Sequence, residues 1–402
     1  MTRSGIDSPV HHRNESRMTY DFETVPDRAN TGSLKWNKYA GTEVIPLWVA
    51  DMDFVAAPEI LAALRERVDH GVIGYTHPTP DALAATIAYL ERVHGLHAEA
   101  EHLFWMPGMV SALNLLCHAF AEPGEGIMTA TPIYPPFTSA PVNQGRRCIA
   151  VPLTPDPEND GLATFDRDAM EAAVTPDTRV FILCNPHNPL GRVYNRDELT
   201  WLAEFCVRHD LVLISDEIHC DLVLEPDTPH LSTTTLNPAL AERTVTMLSP
   251  SKTYNIPGLC CAYSVIPNDS LRHRFARATK DIFTEINCFG YAGLTAAYTH
   301  GEPWRQELLT VLRGNRDRVY DVVGTRCPEV KMRPMAATYL AWMDVSALGL
   351  DHPAAHFEAH GVGLSPGSAF SGPGHVRLNF GCPRSLLDQG LERFVAAVAA
   401  AS

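Results

Sequence analysis

Apolar positions along the chain fall into two alternating patterns. Nearly continuous apolar runs at residues 45–50, 127–131, 147–153, 179–184, 211–215, 244–248 and 260–266 read as strands buried on both faces. Between them the apolar spacing lengthens to three or four. Ile60, Leu61, Leu64 and Val68 share one face of residues 58–69, and Gly71 can end that helix. Leu83, Ile87, Leu90 and Val93 do the same in 81–94, and Leu113, Leu116, Cys117 and Phe120 in 110–121. Further helices are expected at 166–174, 197–209 and 270–281, with Asn195 and Glu198 forming a capping box for the middle one. Strands of this kind alternating with helices predict an α/β fold around a mostly parallel sheet. In open sheets of that type ligands sit beyond the strand C-terminal ends.

After Gly301 the pattern changes. A long helix at 304–323 precedes strands at 338–343 and 375–380, then a final helix at 385–400 with Leu387, Leu391, Phe394, Val395 and Val398 on its apolar face. The expected division is a disordered tail at 1–19, an arm at 20–55 belonging partly to the small domain, a large domain at 56–300 and a smaller α+β domain at 301–402. The aromatic, polar arm is expected to pack on another part of the protein or on a second subunit. His11 and His12 sit in the tail and read as a solvated pair.

Composition narrows the function classes. With 45% hydrophobic and 20% charged residues, the 402-residue chain can bury a large core. A net charge of −15 without any basic run argues against a nucleic-acid partner or an anionic membrane surface. The ten cysteines include no C-x-x-C pair. Cys117, Cys184, Cys206 and Cys260 lie in apolar surroundings, so buried free thiols in a reducing, cytoplasmic compartment are expected. No apolar run reaches transmembrane length, and the N-terminus has no apolar signal core.

Four stretches carry candidate chemistry. Ser249-Pro-Ser251-Lys252-Thr-Tyr-Asn-Ile-Pro-Gly258 follows a strand and places a lysine among hydroxyls. A lysine desolvated there can be a neutral amine that attacks a carbonyl, and the hydroxyls and backbone N–H groups can hold a phosphate. That combination suits pyridoxal phosphate bound through an imine; a solvated loop lysine is the competing reading. Asp216, at the end of an apolar strand, can pair with a protonated pyridine nitrogen. Asn188, in Asn185-Pro-His-Asn-Pro-Leu-Gly191, can donate to the ring's phenolic oxygen. Gly108, Met109 and Val110 open a helix, whose N-terminus suits a phosphate.

Taken in order, Gly108, Tyr134, Asn188, Asp216, Lys252 and Arg377 resemble the site of fold-type I pyridoxal-phosphate enzymes of aminotransferase class I/II. The resemblance runs from about residue 20 to 400. It implies the aspartate aminotransferase (PLP-transferase-like) fold. Trp48-Val-Ala-Asp51-Met-Asp53-Phe54, His70-Gly-Val-Ile-Gly74-Tyr75, Ser215-Asp-Glu-Ile-His219 and Val376-Arg377-Leu-Asn-Phe380 point within the class to the cystathionine β-lyase branch.

By that resemblance Tyr134 stacks on the cofactor ring, and Tyr75 reaches the partner subunit's cofactor phosphate across a homodimer. Ala50, Asp51, Asn188 and Arg377 would meet the substrate carboxylate. Helix capping before Pro58 competes as a role for Asp53. Many aminotransferases carry a phosphate-binding arginine eight residues after the lysine. Here that position is Cys260, expected to be neutral and buried, which leaves Ser249, Ser251, the Gly108 to Val110 amides and Tyr75 to hold the phosphate. His219 stands where many relatives have tyrosine; contact with the phenolic oxygen competes with a packed core histidine. The resemblance implies β-elimination from cystathionine or another S-substituted cysteine, with Lys252 as general base, releasing a thiol, pyruvate and ammonia. Transamination and a non-catalytic binding or regulatory role are the alternatives. No metal site is expected.

Overall fold

The structure, a computed structural model, describes residues 18–157, 161–283 and 285–401. The tail with His11 and His12 therefore lies outside the described residues, apart from its last two positions. A seven-stranded sheet forms the centre, in the order Leu103–Met106, Ala262–Val265, Thr244–Leu248, Val212–Asp216, Thr178–Cys184, Gly126–Thr131, Arg147–Pro152. The last five run parallel, whereas Ala262–Val265 is antiparallel to both of its neighbours. Side-chain alternation divides the sheet's two faces. In Thr178–Cys184, Val180, Ile182 and Cys184 pack with Leu113, Leu116 and Phe275, while Phe181 and Leu183 pack with Leu199, Leu202 and Phe205. Both faces are thus covered by helices, which is why the strands read as apolar throughout. This is the α/β architecture around a mostly parallel sheet that the strand pattern predicts.

A second, four-stranded antiparallel sheet has the order Lys331–Met332, Leu340–Asp344, His375–Asn379, Ser365–Pro366. Arg377 sits in its third strand, opposite Trp342 on one side and Ser365 on the other.

Most expected elements form with ends shifted by a few residues. The helices are Pro58–His70, Pro80–His94, Met109–Phe120, Arg167–Ala173, Arg196–Arg208, Asp269–Thr279, Glu302–Arg326 and Arg384–Ala401. Asn195 and Glu198 form the reciprocal capping box. Of residues 45–50, Ile45–Pro46 alone pairs as a strand, with Val362–Gly363. Three helices of seven or more residues escaped the periodicity reading, Pro136–Asn143, Cys288–His300 and Pro353–Ala359, along with the single turns Leu34–Asn37 and Pro238–Ala241. Cys288–His300 is buried on most sides and rich in glycine and alanine, so it has no apolar stripe. A Cβ on its Gly293 would lie 2.4 Å from the tip of the Leu259 side chain, which would have to swing aside to admit it.

The N-terminal arm packs on its own chain. Phe22 is buried against Phe54 and Trp304, at centroid distances of 5.2 and 5.3 Å, and the N–H groups of Thr19 and Tyr20 donate to the Glu307 carboxylate. Farther along, Arg28 bridges Asp51 at 2.6 Å and Asp53 at 2.7 Å. Asp53 is fully buried, and also accepts from Lys35 Nζ at 2.6 Å and Trp36 Nε1 at 2.9 Å. Asp53 is therefore the buried anion of an ion cluster. It is not a helix cap: the next helix is capped at Ala57, without a side-chain bond. Leaving such an anion unpaired costs about 3–5 kcal/mol, so the cluster fixes the loop on which Ala50 and Asp51 lie.

Candidate active site

Cys184, Asp216 and Leu248 end neighbouring parallel strands. The loops that follow them open on one edge of the sheet and deliver Asn188, His219, Ser249, Ser251 and Lys252 to a common cavity of about 200 Å³. Gly108, Met109, Val110, Tyr134 and Asp216 also line it, and the second sheet supplies Arg377. Ala50 closes one wall. Two expected residues lie elsewhere. Tyr75 is 97% exposed, on the segment after helix Pro58–His70, and does not reach its own chain's cavity. The Asp51 carboxylate turns to Arg28 rather than lining the cavity.

Lys252 donates through Nζ to the Ala50 carbonyl at 2.6 Å. Burial lowers its pKa to about 8, with Arg377 acting in the same direction against the carboxylates of Asp51 and Asp216. A substantial fraction of neutral amine is then present near neutral pH, as both nucleophilic attack and proton abstraction require.

Burial raises Asp216 to about 7, even though its Oδ1 accepts from the Ile218 N–H at 3.0 Å and Lys252 opposes the shift. A carboxylate so short of positive partners suits a protonated ring nitrogen. The adjacent Glu217 is satisfied by Ser215, Ser232, Thr233 and His230, which anchors the loop. His219 is buried and its Nδ1 has no partner among the described residues. Burial lowers its pKa to about 3, with help from Lys252 and Arg377, so the ring is neutral. It is buried as a core histidine would be, yet it lines the cavity.

Arg377 is buried as well. Its Nη1 donates to Asn188 Oδ1 at 2.8 Å, and its Nη2 donates to the Trp48 carbonyl at 3.1 Å. Nε has no partner among the described residues, and the guanidinium lies 4.5 Å from the Phe370 ring centroid. Burial lowers its pKa to about 10, which still leaves it charged at neutral pH. With Asn188 Oδ1 engaged by Arg377, the amide nitrogen is the end that can donate to a ligand. The Tyr134 N–H donates to the Asn188 carbonyl at 3.1 Å, tying the two loops together.

At the opposite end Gly108 caps helix Met109–Phe120 with φ 92°, a conformation that favours glycine. The first N–H groups of that helix have no intrahelical acceptor. Ser249 Oγ lies 2.8 Å from Ser251 Oγ and 2.7 Å from the Cys261 carbonyl. Cys260 corrects the sequence expectation: it is exposed at the cavity rim, although Cys117, Cys184 and Cys206 are buried. The cause is the 3-10 turn Pro257–Leu259, after which Cys260 takes φ 50° and turns outward before the strand begins.

Sequence reasoning missed Tyr339. Its hydroxyl donates to the Ala50 carbonyl at 3.0 Å, the same oxygen that receives Lys252. An aromatic at the head of an apolar strand gave no signal beyond core packing.

The donor set fits pyridoxal phosphate. Asp216 can face the ring nitrogen, Asn188 and His219 the phenolic oxygen, Lys252 the aldehyde carbon and Tyr134 the ring. Helix Met109–Phe120 and the two serines can hold the phosphate. The unpaired His219 Nδ1 and Arg377 Nε, both buried, are the observations that call for a ligand.

Comparison with known proteins supports this fit. The sequence profile described as aminotransferase class I and II matches residues 42–394. Cystathionine beta-lyase PatB of Bacillus subtilis is 37% identical, over 94% of this chain and 100% of its own. The crystal structure of OvoB superposes with a TM-score of 0.91 at 40% identity, covering 94% of this chain and 99% of that one. Cystalysin from Treponema denticola, whose crystal structure contains pyridoxal 5'-phosphate, gives a TM-score of 0.91 at 32% identity, covering 96% of this chain and 100% of that one.

The raised Asp216 pKa has a stability consequence. Its folded value, about 7, lies above the ordinary carboxylate value of 3.8, so the group's stabilising contribution is complete below the unfolded value and is lost as pH rises through about 7. Asp216→Asn in the cofactor-free protein escapes that loss. Urea unfolding should show the variant's advantage over the parent growing by about 2–3 kcal/mol between pH 5 and pH 8. A difference that stays constant with pH would contradict the assignment.

Proposed function

The chain belongs to the aminotransferase class I and II family, and from that premise we propose that it is a pyridoxal-phosphate-dependent carbon–sulfur lyase. Its substrate in this reading is cystathionine or another S-substituted cysteine. The observation that carries the reading is the buried Lys252 amine, with a pKa near 8, sharing one cavity with Asp216 and Arg377. The similarity to cystathionine beta-lyase PatB over the full length of that chain favours elimination over transamination.

When bound, pyridoxal phosphate supplies an electron-poor ring that takes up the electron pair left by loss of the substrate's α-proton. The chain's own groups do the remaining work. Arg377 holds the substrate carboxylate through its fork of N–H donors, with the Asn188 side chain fixing its orientation. Lys252 Nζ takes the α-proton as general base. With the group bound, the Asp216 carboxylate would hold a proton on the ring nitrogen, and neutral His219 and the Asn188 amide would orient the phenolic oxygen. The Cβ–S bond then breaks, the sulfur leaves as a thiolate, and hydrolysis yields pyruvate and ammonia.

The assembly in this reading is a homodimer. Val68, Val72, Ile73 and Tyr75 are all more than half exposed along one short stretch. Beside them the helices Pro58–His70, Pro80–His94 and Cys288–His300 frame an open hollow of about 1080 Å³ with many alanines. A second copy would cover that face and receive Tyr75 at its cofactor phosphate. No helix among the described residues is long and apolar enough to cross a membrane, and all ten cysteines are free, in keeping with a cytoplasmic site of action.

Two measurements test the reading. Incubation with cystathionine or another cysteine thioether should release thiol, pyruvate and ammonia in equal amounts without an added oxo acid. Transfer of the amino group to an added oxo acid with no thiol released would replace elimination by transamination. For the shared site, Tyr75→Phe and Lys252→Ala proteins, each impaired alone, should regain part of the activity after subunit exchange. No recovery under demonstrated exchange would place Tyr75 outside the partner's site.

A further inference from the structure

Tyr339 is fully buried between the two sheets, and the backbone around it is tied on both sides. The N–H of Ala337 donates to the Gly191 carbonyl at 2.9 Å, and that of Thr338, with φ 70°, to the Leu222 carbonyl at 2.8 Å. The Tyr339 carbonyl accepts from the Phe380 N–H at 2.9 Å. The phenol therefore has little freedom. Its hydroxyl donates to the Ala50 oxygen at 3.0 Å, and Lys252 Nζ donates to the same oxygen at 2.6 Å. A carbonyl oxygen has two lone pairs, so this pair of donors fills it.

We propose that Tyr339 is a positioning residue for proton transfer: its hydroxyl fixes the Ala50 carbonyl as the rest for the Lys252 amine whenever that amine is free. The inference rests on the reading of Lys252 as the general base. Burial, with Asp51 adding and Arg377 opposing, raises the phenol well above its ordinary range, so Tyr339 acts as a donor and never as a competing base. The charged groups that bear on Lys252 are Asp51, Asp216 and Arg377. Those on Tyr339 are Asp51 and Arg377; the neutral His219 ring stands 6.2 Å from the phenol, edge on.

With that surrounding charge unchanged, the phenol's hydrogen places a positive dipole end beside the oxygen that an ammonium would otherwise have to itself. It weakens the hold on the ammonium and so favours the neutral amine. Without the hydroxyl, the amine should gain a better acceptor and protonate more readily.

The test compares the parent with Tyr339→Phe in two ways. Full-chain protein stripped of cofactor is acetylated with an isotope-labelled reagent across a pH series, and the rate at Lys252 is read by mass spectrometry. The loaded enzyme's kcat, which reports the substrate complex in which the amine has been freed, is measured over the same range. The parent amine should titrate near its low midpoint of about 8. In Tyr339→Phe both midpoints should rise by roughly 0.5–1 pH unit, the size of one ordinary hydrogen bond. Replacement of Tyr339 by 3-fluorotyrosine, a stronger donor of nearly the same shape, should shift them the other way, which keeps the test open if the phenylalanine variant folds poorly. Reduced thermal stability with unmoved midpoints would assign Tyr339 to packing alone and overturn the proposal. A parent Lys252 that titrates like an ordinary surface lysine would instead overturn the reading of the base on which the proposal rests.

Discussion

The Lys252 amine sits in the protein with no salt bridge to it among the described residues. Burying an ammonium without a counter-charge is costly, and the protein meets that cost by letting the proton go more easily. Several distant features serve this condition. Arg28, on the N-terminal arm, engages the Asp51 carboxylate and keeps it out of the cavity. Lys35, Trp36 and Arg28 together satisfy Asp53, so the loop carrying Ala50 is held by a buried ion cluster. What meets the amine is a backbone carbonyl, a neutral acceptor that holds it in place without locking on its proton.

The same economy of charge appears at the other end of the cavity. Among the described residues no arginine lines the wall near Ser249 and Ser251, and Cys260 turns outward at the rim. An anion there would be met by the N–H groups at the start of helix Met109–Phe120 and by hydroxyls. The guanidinium that is present, Arg377, is braced by Asn188, the Trp48 carbonyl and the Phe370 ring, so it presents a fixed fork. Positive charge is thus concentrated where a substrate carboxylate would sit.

Much of this was legible in the sequence, because the catalytic loops follow apolar strands whose burial is written in their composition. Asn188, Asp216 and Lys252 were each placed after a strand, and the structure brings all three to one cavity. Features that depend on long-range contact were less visible. Helix Cys288–His300 lacks a stripe because its glycines and alanines bury several of its faces, while the rest lines the open hollow. Cys260 looked buried because its neighbours are apolar, while a left-handed turn sends it outward. For Asp53 the sequence leaves a substrate-site loop and a helix cap open, and its partners instead lie 17 to 25 residues earlier in the chain. Tyr339 reaches Ala50 across 289 positions, a contact that no local pattern announces.

The account stands or falls on the identity of the amine that holds the cofactor. Borohydride reduction of the purified, cofactor-loaded protein, followed by proteolysis and peptide mapping by mass spectrometry, reports it directly. The account predicts a single labelled peptide, with the reduced cofactor on Lys252. Label on any other lysine, or none in protein shown spectroscopically to carry pyridoxal phosphate, would contradict it.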